Sequence, residues 1–125
     1  MMASLPLSNR RILVIEDEYL LATEMQDCLV KAGATVIGPV SGLSMALKLI
    51  EETARIDGAV LDVNLRGEAA FPAAEMLEDR KVPTLFVSGY DPKIIPQRFR
   101  NTPHCEKPVS IKRVIETLVR TIRRT

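Results

Sequence analysis

The sequence predicts an α/β domain in which a parallel sheet carries helices on both faces. Two observations predict it. Short, nearly continuous apolar runs alternate five times with segments of helical apolar spacing. The residues that bear chemistry, Glu16, Asp17, Asp62, Ser88 and Lys107, all fall where such a run gives way to a loop. Right-handed crossovers gather the C-terminal ends of parallel strands at one edge, and open sheets bind ligands there.

Arg11-Ile12-Leu13-Val14-Ile15 is β-branched and unbroken, as a strand buried on both faces should be. From Asp17 to Ala32, Leu21, Met25, Cys28, Leu29 and Ala32 recur at helical spacing, and Gly33 stops the helix. A second strand runs from Ala34 to Val40 and is ended by Gly38-Pro39. Ser41 is placed to cap a helix whose inner face is Leu43, Ala46, Leu47 and Ile50. Gly58-Ala59-Val60-Leu61 is a third strand running straight into Asp62, followed by a loop from Asn64 to Gly67. A helix then spans Glu68 to Asp79, with Pro72 tolerated in its first turn. Pro83 to Val87 is the fourth strand, ended by Ser88-Gly89. Pro92 and Pro96 leave room for only a short or irregular helix around Ile94 to Phe99. A brief fifth strand at His104 to Glu106 reaches Lys107-Pro108. The last helix presents Ile111, Val114, Ile115, Leu118, Val119 and Ile122 as one stripe.

Composition excludes several classes. A chain of 125 residues, 46% hydrophobic and 26% charged, is globular and of single-domain size. Its net charge of +1 points to neither nucleic acid nor an acidic substrate. Arg113, Arg120, Arg123 and Arg124 read as a solvated helix face with cations near its C-terminal end, so no direct nucleic-acid partner is expected. Cys28 and Cys105 match no metal or redox spacing and read as small hydrophobes in a reducing cytosol. No apolar stretch approaches the roughly 20 residues that cross a bilayer. The N-terminal residues lack a signal-peptide core. The expectation is a cytoplasmic protein with no membrane partner.

Carboxylates gathered at one edge repel one another and need a counter-charge. Mg²⁺ suits them, being a hard cation held by oxygen through one or two carboxylates and several waters. Asp17 and Asp62 are the expected direct ligands, Glu16 acts from slightly further out, and the Asn64 backbone carbonyl completes the set. Asp62, closing the central strand, is also the expected nucleophile towards phosphorus. Lys107 would then meet one phosphoryl oxygen, and the Ser88 hydroxyl with neighbouring backbone N–H groups would hydrogen-bond another.

These residues resemble a known family. Ile12-Leu13-Val14-Ile15-Glu16-Asp17-Glu18, Leu61-Asp62-Val63-Asn64-Leu65, Ser88 and Lys107-Pro108 look like the receiver domain of two-component response regulators. Pro83-Thr84-Leu85-Phe86-Val87-Ser88-Gly89-Tyr90 resembles more narrowly a motif of single-domain alphaproteobacterial regulators. The resemblance implies a flavodoxin-like, doubly wound (βα)5 fold with a five-stranded parallel sheet in the order 2-1-3-4-5. It places an N-terminal extension at residues 1–9 and a receiver domain at residues 10–125. It implies that Asp62 accepts phosphate from a sensor histidine kinase or histidine phosphotransfer protein, with Glu16 and Asp17 as the acidic pair. Ser88 is then the hydroxyl switch, and Lys107 precedes a cis Pro108. The family usually carries an aromatic ring three residues before the lysine. This chain has His104, leaving Tyr90 or Phe99 to substitute.

The resulting expectation is a stand-alone bacterial phosphoprotein switch that binds a downstream protein target. It is not an enzyme beyond its own phosphorylation and dephosphorylation. The exposed side of the last helix leaves a homodimer open. One alternative is a non-phosphorylated receiver-like interaction module, which would not need the acidic and lysine set together. Another is an aspartyl-phosphate phosphohydrolase, which would need a second acid two residues after Asp62 and a substrate cap; the sequence has neither.

Overall fold

Three apolar runs form the centre of the sheet because they are covered on both faces. The computed structural model describes residues 5–89 and 94–124. Strands β1 (Arg11–Ile15), β3 (Gly58–Asp62) and β6 (Thr84–Ser88) are buried along almost their whole length. They are flanked by β2 (Thr35–Val40) and β7 (His104–Glu106) in a five-stranded sheet of order β2-β1-β3-β6-β7, every pair parallel. Counting only the strands of this sheet, the order is the expected 2-1-3-4-5.

Alternation along the strands divides the core in two. Leu13, Ile15, Ala59, Leu61 and Phe86 face helices α2 (Leu43–Glu52) and α3 (Phe71–Asp79). Ile12, Val14, Val60, Leu85 and Val87 face α1 (Tyr19–Lys31) and α4 (Ile111–Arg123). Val114, Leu118 and Ile122 are the buried side of the α4 stripe, and the Ser110 hydroxyl caps that helix by accepting the Arg113 N–H. Among the described residues no helix is long and apolar enough to cross a membrane.

Several local expectations are corrected. β2 reaches Val40 as expected, but Gly38-Pro39 lies inside it rather than ending it, where its register against β1 slips between Leu13 and Ile15. Ser41 does not cap α2. The cap is Gly42, whose extended backbone turns its carbonyl to the Ala46 N–H, leaving Ser41 one residue too early. The stretch from Asn64 to Gly67 is not an open loop. It begins a small antiparallel hairpin, β4 (Asn64–Leu65) with β5 (Glu68–Ala69). Arg66 and Gly67 take φ of 53° and 90° at its tip, and the Asn64 side chain accepts the Gly67 N–H. With Glu68 committed to that pairing, α3 starts only at Phe71, with Pro72 in its first turn.

Where a helix would regularly link β6 to β7, the described residues hold no α-helix, and Gln97–Phe99 form a 3-10 turn. Phe99 is buried there, stacked on Phe71 with ring centroids 5.8 Å apart and edge-on to Phe86 at 5.6 Å. Arg98 ties the turn to α3 through Glu75, Glu78 and Asp79. Tyr90 lies outside the described residues. Ahead of β1, Leu7 is seated in the core on the α1 and α4 side, and its N–H bonds the Ala32 carbonyl. Burial of one such leucine contributes about 1.5–3 kcal/mol. Gly33 accommodates this approach: it has φ of 100°, and a Cβ there would lie 3.0 Å from Leu5 and Ser8.

Candidate functional site

Each site residue is positioned by the end of a strand. Glu16 follows β1, and its N–H bonds the Val40 carbonyl at 3.0 Å, so the extended β2 fixes where β1 ends. Asp62 is the last residue of β3 and Ser88 the last of β6, both almost wholly buried. Lys107 follows β7; its N–H bonds the Ser88 carbonyl at 2.9 Å, and the Lys107-Pro108 bond is cis.

The side chains converge. Lys107 Nζ lies 2.7 Å from Asp62 Oδ2, 3.3 Å from Glu16 Oε2 and 3.1 Å from Glu18 Oε1. The other Asp62 oxygen, Oδ1, accepts the Asn64 N–H at 3.0 Å. Asp17 Oδ2 accepts the Arg66 N–H at 3.0 Å, which ties the hairpin tip to the acidic pair. Glu16, Asp17 and Asp62 each offer an oxygen within 4.8 Å of the others. Glu16 and Asp17 also border a cleft of about 420 Å³, walled in part by Tyr19, Met45 and Arg66.

The electrostatics are those of an incompletely compensated cluster. Burial, followed by the neighbouring Asp62 carboxylate, pushes Glu16 up to about 8. Burial also works against charge on Asp17, yet the Arg66 N–H and contacts with Glu16 and Asp62 hold it below its ordinary value. Burial acts to lower Lys107, but the carboxylates of Asp62, Glu18 and Glu16 outweigh it and hold the ammonium well above its usual range.

Glu16 Oε1 is buried without a hydrogen-bond partner among the described residues. A buried acceptor left in this state is unfavourable unless something else satisfies it. The oxygen-only donor set and this orphaned oxygen fit a hard divalent cation such as Mg²⁺. His104, in the position of the family's ring, is partly buried and its Nε2 likewise lacks a partner among the described residues.

Sequence reasoning places all six predicted residues at this edge but misses Glu18. Its signal was present in the Glu16-Asp17-Glu18 run, yet only folding reveals that Glu18 turns towards Lys107. The hairpin's hold on Asp17 was also missed, because a backbone N–H carries no sequence signature.

Geometry thus defines a class: a doubly wound α/β domain with a carboxylate cluster and one lysine at its C-terminal strand ends. No model of a protein family matches the chain, and no curated protein does. Solved structures do. The chain is 35% identical to SdrG from Sphingomonas melonis Fr1, covering 98% of this chain and 99% of that one, with a TM-score of 0.78. A BeF3-activated conformation of SdrG, from Pseudomonas melonis Fr1, matches at 36% identity over 93% of this chain and 95% of that one, with a TM-score of 0.69. A response regulator receiver protein from Sinorhizobium medicae WSM419 shares the fold at 23% identity, 91% and 94% coverage and a TM-score of 0.75. The chain belongs to the response regulator receiver family.

Proposed function

We propose that Asp62 accepts a phosphoryl group from a phosphohistidine on a sensor histidine kinase or a histidine phosphotransfer protein. The reaction is Mg²⁺-dependent and takes place in the bacterial cytoplasm, and the phosphorylated domain acts by binding a downstream protein. The observation that carries this reading is the 2.7 Å contact of Lys107 Nζ with Asp62 at the end of the central strand. One carboxylate oxygen of Asp62 bonds to phosphorus as the phosphorus–nitrogen bond breaks. The electron pair leaves with the imidazole nitrogen, which takes up a proton from water.

Asp17, Asp62, Glu16 and the Asn64 backbone carbonyl would hold Mg²⁺, which supplies charge neutralisation at a phosphoryl oxygen. Lys107 leaves the carboxylates to meet a second oxygen. Ser88, buried at the end of β6, offers its hydroxyl to a third. The added charge biases a pre-existing equilibrium in the surface around β6, β7 and α4. The domain is a switch whose chemistry is limited to gaining and losing its own phosphoryl group.

The test is transfer of labelled phosphate from a phosphohistidine donor. The wild-type chain should be labelled in the presence of Mg²⁺, and Asp62→Asn should carry no label. Undiminished labelling of the variant would overturn the assignment.

A further inference from the structure

We propose that Glu18 is a positioning residue that competes with the incoming phosphoryl group for Lys107, and so sets how readily the site is loaded. The inference rests on the reading of Asp62 as the phosphoacceptor.

An ammonium has three N–H donors. Lys107 Nζ is surrounded by three carboxylates, Asp62 at 2.7 Å, Glu18 at 3.1 Å and Glu16 at 3.3 Å. A phosphoryl oxygen therefore meets Nζ only after one of the three lets go. Two of them have other attachments. Asp62 becomes the phosphorylated group itself, and Glu16 has a buried oxygen without a partner among the described residues and belongs to the carboxylate cluster with Asp17 and Asp62. Glu18 belongs to no such cluster, and its side chain is 59% exposed. It is the partner whose release is not provided for by the reaction.

A helix-capping role does not account for Glu18. It occupies the N-cap of α1, but its side chain makes no capping hydrogen bond. With Lys107 it lines a cleft of about 430 Å³ completed by Leu21, Pro108 and Val109, so the carboxylate has room to swing off Nζ. Its negative charge also repels the phosphoryl oxygens as they arrive. Neutralising Glu18 removes the competitor and the repulsion together while leaving Glu16, Asp17 and Asp62 in place.

The experiment compares the full-length wild type, Glu18→Gln and a control, Glu24→Gln. Glu24 is likewise an exposed acid, on α1. Fluoroberyllate is titrated with saturating Mg²⁺ and followed by amide shifts, alongside the Lys107 ammonium signal and the rate of labelling by acetyl phosphate. Glu18→Gln should bind the phosphoryl mimic about two- to fivefold more tightly, in keeping with one exposed ion pair removed. It should label correspondingly faster and shift the Lys107 signal before any ligand is added, with an unchanged melting temperature. Glu24→Gln should match wild type. Equal or weaker fluoroberyllate binding by Glu18→Gln, with wild type responding normally, overturns this inference alone. A wild type that neither binds the mimic nor labels on Asp62 overturns the phosphoacceptor reading, and this inference with it.

Discussion

The two edges of the sheet treat charge in opposite ways. At the N-terminal edge, Asp57 accepts the Arg11 N–H at 2.8 Å and pairs with Arg55 at 3.0 Å. Nearby, Arg80 spends its guanidinium on the carbonyls of Ile50, Thr53 and Ala54, at the end of α2. Every one of these groups has a partner. At the C-terminal edge, one lysine faces three carboxylates, a fourth lies close by, and one buried oxygen has no partner among the described residues. One edge is settled as folded; the other keeps a buried acceptor that no described residue satisfies. Buried polar mismatch, more than the number of charges, separates a structural edge from a working one.

Removing the Lys107 ammonium should disturb this contrast most. Lys107→Met leaves the buried carboxylates without their counter-charge and should lower stability by about 2–4 kcal/mol in denaturant melts without Mg²⁺. If stability is unchanged, the cluster is better compensated than the geometry indicates. Glu16→Gln should act in the reverse direction. It removes the strained charge and should raise cation-free stability at pH 8 by about 1–3 kcal/mol, while weakening Mg²⁺ binding at least about tenfold.

The pH dependence follows from the same asymmetry. Glu16 is raised from 4.5 to about 8 on folding, so its contribution is full below its ordinary value and is lost as pH rises towards 8. Asp17 and Asp57 are lowered, so their contributions are present above 3.8 and lost as pH falls through their folded values. At Asp57, burial opposes charge and the bond from the Arg11 N–H with the Arg55 contacts prevails. Without cation, stability should peak in mildly acidic solution, and Mg²⁺ should restore the alkaline side. Thermal melts from pH 3 to pH 9 with and without Mg²⁺ check both limbs.

Smaller effects belong to the settled edge. Asp57→Ala strands the Arg11 N–H at the start of β1 and should destabilise by about 1–2 kcal/mol, with Mg²⁺ affinity unchanged. A change in that affinity would show that the two edges are coupled through the sheet.

What the sequence made legible depends on how many residues share each signal. β1, β3, β6 and α4 were readable because each is a run of apolar positions in which every member agrees. The site was readable because Glu16, Asp62 and Ser88 stand at the ends of such runs and Lys107 stands before a proline at the end of a short strand. The hairpin was not, since it depends on two short pairs and on the backbone of Arg66 and Gly67. Leu7 was not, because one leucine outside any periodic segment says nothing of where it packs. Glu18 looked like any helix-start acid until the fold brought Lys107 to it from the other end of the chain.

The arrangement of rings offers a spectroscopic separation. The chain has no tryptophan, three phenylalanines and two tyrosines. All three phenylalanines interlock on the α3 side of the sheet, while Tyr19 stands 80% exposed at the mouth of the acidic cleft. Near-ultraviolet dichroism of the phenylalanines would report whether the interior is intact. With Tyr90 replaced by leucine, tyrosine emission would come from Tyr19 alone and a change in it would sense an ion arriving next door, so occupancy and unfolding can be recorded as separate optical channels without attaching a dye.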